Sequence, residues 1–177
     1  MFNRVAGKLE TCANIAIIVV AVLIGLVFIK SYVLADRAQP QPRNPVGTKV
    51  SLPGVDWAKN GQTILLVLQK GCHFCSESAP FYQQLVKETA DNGKVRLIAL
   101  LPQKVDEGRG YLSELGVTVQ EVKQTPLNSL GVTGTPTLLW VNGEGVVTNS
   151  WKGKLPVEKE SEVLAKLRQC GASQRCG

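Results

Sequence analysis

Charge and histidine are what this chain has least of. Of its 177 residues only 19% are charged, and there is one histidine, His73. The net charge of +6 is spread along the chain without a basic stripe, so nucleic acid is not an expected partner. Cysteine is sparse as well: Cys12, Cys72, Cys75, Cys170 and Cys176. Only Cys72 and Cys75 have C-x-x-C spacing. A zinc centre usually takes four ligands, often from two such pairs, and here the lone histidine lies inside the single pair. No metal and no other cofactor is expected.

One long uncharged stretch is present. Thr11 to Ile29 carries no charge, with Arg4 and Lys8 before it and Lys30 and Tyr32 after it. At ~1.5 Å per residue it nearly spans a ~30 Å hydrocarbon core. The reading is a membrane anchor over 1–35, spanning at about 11–29, with the N-terminus in the cytoplasm by the positive-inside rule. The rival is a cleaved signal peptide ending at Val33-Leu34-Ala35. Cys12, at the edge of this segment, reads as a small apolar residue. Residues 36–45 contain Gln39-Pro40-Gln41-Pro42 and read as a semi-rigid linker. A folded domain is expected over 46–177.

Within that domain strand-like and helix-like stretches alternate. Val46 to Trp57 reads as an edge strand or hairpin. Thr63 to Leu68 is a continuous apolar run, as expected of a strand buried on both faces. Glu77 to Ala90 is helix-like, with Pro80 bending it and Asn92-Gly93 ending it. Val95 to Leu101 predicts a second strand, and Val105 to Leu115 a helix capped by Gly116. Val117 to Val122 alternates and predicts a half-buried strand. Pro126 to Leu130 reads as one helical turn. Leu138 to Val141 and Val146 to Trp151 predict a hairpin about Asn142-Gly143. Pro156 to Gln169 predicts the last helix. The order gives an α/β fold with a central mixed β-sheet flanked by helices.

Gly71-Cys72-His73-Phe74-Cys75 lies where a strand passes into a helix, a dithiol arrangement that favours a thiolate. Together with Pro80, and with Gly134-Thr135-Pro136-Thr137 leading into Leu138-Leu139-Trp140-Val141, it resembles the thioredoxin superfamily. The resemblance covers roughly Val46 to Gln169. The separation of Cys75 from Pro136 exceeds that of a minimal thioredoxin by about one helix–strand unit, Val105 to Val122. That insertion, with the N-terminal segment, is most similar to membrane-anchored TlpA/ResA-like thiol-disulfide oxidoreductases.

The resemblance implies roles. Cys72 would be the nucleophile and Cys75 the resolving thiol. Pro136 would be cis, and with the Thr135 backbone it would dock a substrate segment. His73 and Phe74 form the active-site dipeptide, where thioredoxins carry Gly-Pro. Leu66 stands where thioredoxins bury an acid, so the proton-transfer partner is open, with Glu77 as a candidate. Cys170 and Cys176 are candidates for a structural disulfide or, alternatively, a second redox pair.

The expected function is an anchored extracytoplasmic thiol-disulfide oxidoreductase of the bacterial cytoplasmic membrane, monomeric, with its redox domain on the periplasmic side. Its expected partners are protein thiols and disulfides and a membrane or extracytoplasmic redox partner. A peroxiredoxin would carry Thr where Gln69 stands. A Sco-like copper-delivery protein would need C-x-x-x-C and a distal histidine. A non-catalytic scaffold would have no need of the intact pair.

Overall fold

A computed structural model describes residues 17–27 and 45–172, which fall in two compact units, Met1–Gln41 and Pro42–Gly177. In the first unit residues 17–27 are helical, with Ile17 66% and Val27 64% exposed. The rest of the expected span at 11–29 lies outside the described residues. Among the described residues no helix is long and apolar enough to cross a membrane. Most of the linker at 36–45 is likewise outside. Pro45 is described, and it is buried, with its carbonyl accepting from the Thr48 amide and hydroxyl.

The second unit is built on five strands: β1 (Gln62–Val67), β2 (Val95–Leu101), β3 (Glu121–Gln124), β4 (Thr137–Val141) and β5 (Val147–Lys152). Their spatial order is β3-β2-β1-β4-β5. The β1–β2 and β2–β3 pairs are parallel, and β1–β4 and β4–β5 are antiparallel. The helices are α1 (Trp57–Asn60), α2 (His73–Glu77), α3 (Ala79–Asn92), α4 (Val105–Glu114) and α5 (Val157–Ala172). A 3-10 turn spans Leu127–Leu130.

The period of two in the central strands sorts their side chains into two cores. Ile64, Leu66, Val95, Leu97, Ala99, Leu101, Leu138 and Trp140 pack with Phe81, Tyr82 and Leu85 of α3, Tyr111 and Leu112 of α4, and Val163, Leu164 and Leu167 of α5. Leu65, Val67, Ile98, Leu100, Leu139 and Val141 point the other way. They meet Val50, Leu52, Leu130 and Val132. That division is why the sequence of β1 is apolar at every position from Ile64 onward: neither face of the strand meets water.

Three expectations shift. Val117 to Val122 is not a strand from its start. The Val117 amide is taken by the Leu112 carbonyl and that of Gly116 by Ser113, a Schellman end to α4 with Gly116 at φ +66°. Val117 and Val119 are therefore buried without a ladder, and pairing with β2 begins only at Glu121. Val46 to Trp57 makes only a single bridge, Lys49 to Val146, instead of a strand. Pro80 does more than bend one helix. The chain breaks at Ser78 into α2 and α3, with Pro80 in the first turn of α3, where its missing N–H costs nothing.

Candidate active site

The cysteine pair sits at the C-terminal end of β1. Gln69, Lys70 and Gly71 turn the chain, Gly71 at φ +80°, and the Cys72 amide closes the turn on the Gln69 carbonyl at 3.2 Å. Cys72 is then the N-cap of α2, in extended conformation, and its Sγ accepts from the Cys75 N–H at 3.2 Å. The two cysteines are disulfide-bonded, with Cα atoms 5.2 Å apart. Cys72 is partly exposed and Cys75 is 0% exposed. Only one sulfur of the pair is open to a macromolecular partner. Because α2 has just five residues, the group aimed at Cys72 Sγ is the specific Cys75 N–H and not the end of a long helix dipole.

Across from the pair lies the stretch before β4. The Thr135–Pro136 peptide is cis, and the Thr135 carbonyl oxygen is 3.4 Å from Cys72 Sγ. The sequence elements at 72–75 and 134–137, far apart in the chain, therefore meet. Thr137 Oγ1 donates to the Gly134 carbonyl at 2.8 Å, and the Gly153 amide donates to the Pro136 carbonyl at 2.7 Å. Lys152 Nζ donates to Thr133 Oγ1 at 2.7 Å. The end of β5 and the residue after it thus hold the loop that faces Cys72.

The dipeptide side chains point outward. Phe74 is 54% exposed, and the His73 ring lies 5.7 Å from it, centroid to centroid. His73 Nε2 is 3.0 Å from Glu77 Oε1, and Lys154 Nζ is 3.0 Å from Glu77 Oε2. The Lys154 hydrogen bond and charge, with a smaller contribution from His73, hold the Glu77 carboxyl below the usual range. Both carboxylate oxygens of Glu77 are thus paired, one with His73 and one with Lys154. Sequence spacing gave no sign of Lys154, which lies far along the chain from Glu77.

A hollow of about 10 Å³ is lined by Leu66, Ser78, Phe81, Tyr82, Pro136 and Trp151, among others. Leu66 is buried there. The Tyr82 hydroxyl lies close to Ser78 without reaching hydrogen-bond geometry, and burial pushes its pKa well above the ordinary phenol value. Ser78 Oγ donates instead to the Phe74 carbonyl at 2.8 Å. No carboxylate lines this hollow.

Cys170 is elsewhere. α5 runs further than Gln169 and takes Cys170 into its last turn, where it is buried against the core shared with α3. Cys170 is disulfide-bonded, and Cys176, the expected partner, lies outside the described residues. The end of α5 is held by Asn92 Nδ2 donating to Leu167 O and by Lys94 Nζ donating to Gly171 O at 2.8 Å. Asn92 ends the 14-residue α3, whose start adjoins the site, so at ~1.5 Å per residue Cys170 is on the order of 20 Å from Cys72. Cys170→Ser should lower unfolding stability by about 2–4 kcal/mol. It should also leave the Cys72 exchange rate unchanged, as denaturant titration and a glutathione-exchange assay would read. Lost exchange with unchanged stability would point to a relay.

No protein-family model matches the chain, and no curated protein matches it in sequence. Solved structures do match. A thiol:disulfide interchange protein from Bacteroides sp. is similar at 15% identity and TM-score 0.53, covering 72% of this chain and 87% of that one. A thiol-disulfide isomerase from Corynebacterium glutamicum is similar at 17% identity and TM-score 0.50, covering 71% and 93%. These likenesses establish the thioredoxin-like α/β fold. The chain carries on it, at Cys72–Cys75, a C-x-x-C pair.

Proposed function

We propose that this chain is a thiol-disulfide oxidoreductase acting on protein thiols and disulfides, tethered by its N-terminal segment to the bacterial cytoplasmic membrane with the redox domain outside the cytoplasm. The observation that carries the chemical part is the asymmetry of the pair. Cys72 Sγ is accessible, accepts the Cys75 N–H and faces the Thr135 carbonyl, while Cys75 is wholly buried.

In the reducing direction the Cys72 thiolate attacks one sulfur of a substrate disulfide. A Cys72–substrate bond forms, the substrate S–S bond breaks, and the released thiolate takes a proton. Cys75, as thiolate, then attacks Cys72 Sγ, forming the Cys72–Cys75 bond and releasing the second substrate thiolate. Two electrons have passed to the substrate, and a thiol partner must return them. The oxidising direction is the reverse, and the reduction potential of the pair decides between them. Pro136 and the Thr135 backbone dock the substrate segment beside Cys72.

The tether and compartment rest on the uncharged run at 11–29 and on the cysteine pairs, which suit an oxidising space. Fusion of a reporter active only in the cytoplasm after Gly177 should give no signal in intact bacteria, and a strong signal would overturn the orientation. The chemistry is tested by reduction of a protein disulfide by the full chain with a small dithiol as donor. A wild-type rate no faster than the dithiol alone would overturn it.

A further inference from the structure

The Glu77–Lys154 ion pair joins α2 to the segment after β5, and no step of the exchange uses it. Glu77 is on the same short helix as Cys72, five residues on, so their backbones are about 8 Å apart along the axis. Its carboxylate reaches back toward the N-terminus of α2, to 3.0 Å from the ring of His73, the residue next to Cys72. An unpaired negative charge at that place lies within a Debye length of the Cys72 sulfur and opposes its thiolate. Lys154 Nζ, 3.0 Å from the other carboxylate oxygen, cancels much of that charge.

We infer that Lys154 is a positioning residue of the thiol chemistry: by pairing with Glu77 it keeps a carboxylate beside the active-site turn from suppressing the Cys72 thiolate. The inference rests on reading Cys72 as the nucleophile. Lys70 pairs with Glu107 at 3.3 Å, and Lys152 bonds Thr133. His73 shares Glu77 with Lys154. The backbone around Lys154 is fixed independently by the Gly153 amide on the Pro136 carbonyl, so the ammonium is held near α2 by the same loop that faces the sulfur.

The test is the pH profile of Cys72 alkylation in the reduced full chain, read on the Cys72 peptide by mass spectrometry. Lys154→Met should slow alkylation at pH 6 by about threefold, the size expected of one exposed charge pair. Lys154→Arg should restore the wild-type profile. Glu77→Gln should leave alkylation close to the wild-type rate, because Lys154 already cancels most of the charge it removes. The double variant Lys154→Met with Glu77→Gln should match Glu77→Gln alone, because Lys154 then has nothing to neutralise. The differences should shrink in 1 M salt, where the Debye length is ~3 Å. An unchanged profile in Lys154→Met overturns the inference. So does equal slowing in the Glu77→Gln background, which would make Lys154 act directly. Lys154 is half exposed, and its replacement leaves the core untouched. Failure of the oxidoreductase reading would show separately, as wild-type chain unable to exchange with any disulfide.

Discussion

Cys75→Ala should accumulate substrate proteins as mixed disulfides on Cys72, and Cys72→Ala should accumulate none. The first attack needs only the accessible sulfur, and Cys72 keeps its exposure and its backbone N–H donor when the Cys75 side chain is lost. The second attack needs a sulfur one turn on, and that is what the alanine removes. Non-reducing electrophoresis of cells expressing each variant reads the difference directly, and mass spectrometry of the trapped partners identifies the pathway. Both variants should lose turnover completely in a disulfide-reduction assay, so trapping, rather than activity, separates the roles. Pro136→Thr in the Cys75→Ala background should change which partners accumulate, because Pro136 is next to the Thr135 carbonyl that faces Cys72. Equal trapping by Cys72→Ala and Cys75→Ala would reverse or void the assignment.

Leu66→Asp should be among the most damaging single changes in the domain. Leu66 is 1% exposed and packs in the core that holds Cys75, Phe81, Tyr82, Leu138 and Trp140. A carboxylate there would be desolvated, with no cation lining the adjoining hollow. Leaving an unpaired charge in such a place costs about 3–5 kcal/mol. Burial raises the folded pKa of the new carboxyl above its unfolded value of ~3.9, so the folded state binds the extra proton. The variant's stability is therefore greatest below pH ~4 and falls as pH rises toward the folded pKa, above which it levels off. Leu66→Asn, of similar shape, should be destabilised without that added pH dependence. Urea titrations of both from pH 4 to 8 measure it. A Leu66→Asp chain as stable at pH 7 as at pH 4 would mean that the site admits water or a counter-charge.

The sequence carried the strands of the centre better than those of the edge. Runs such as Ile64-Leu65-Leu66-Val67 can satisfy burial on two faces only inside a sheet, so their element and place followed from pattern alone. At the edge, Val117 and Val119 show the same alternation, yet the Val117 amide is committed to ending α4. Periodicity reports burial and is silent about which donor an amide finds. The site divides in the same way. Cys72, Cys75, Thr135 and Pro136 were legible because two local motifs carry them, and the fold brings Thr135 against Cys72. Lys154 was not, because its relation to Glu77 exists only after β5 has paired with β4. Glu77 was visible as an acid near the pair, but its role depends on the unseen lysine. Cys170 was placed beyond a helix that in fact contains it, since the last turn of α5 is held by Asn92 and Lys94, far back in the chain.

The stretch from Pro45 to Leu52 has a consequence for how the domain opens. It lies across one face of the sheet, where Val50 and Leu52 are buried and where its backbone exchanges three hydrogen bonds with Gly145 and Val147. It is joined to the sheet by a single bridge and no continuous ladder, so it is a natural first piece to detach in a thermal fluctuation. Its departure uncovers Leu65, Val67, Leu139 and Val141, yet leaves the helices over Leu66, Cys75 and Leu138 in place. The lid of one core is thus also the lead-in from the N-terminal side. A fluctuation that lifts this stretch therefore opens the face of the sheet opposite the one that packs against Cys75.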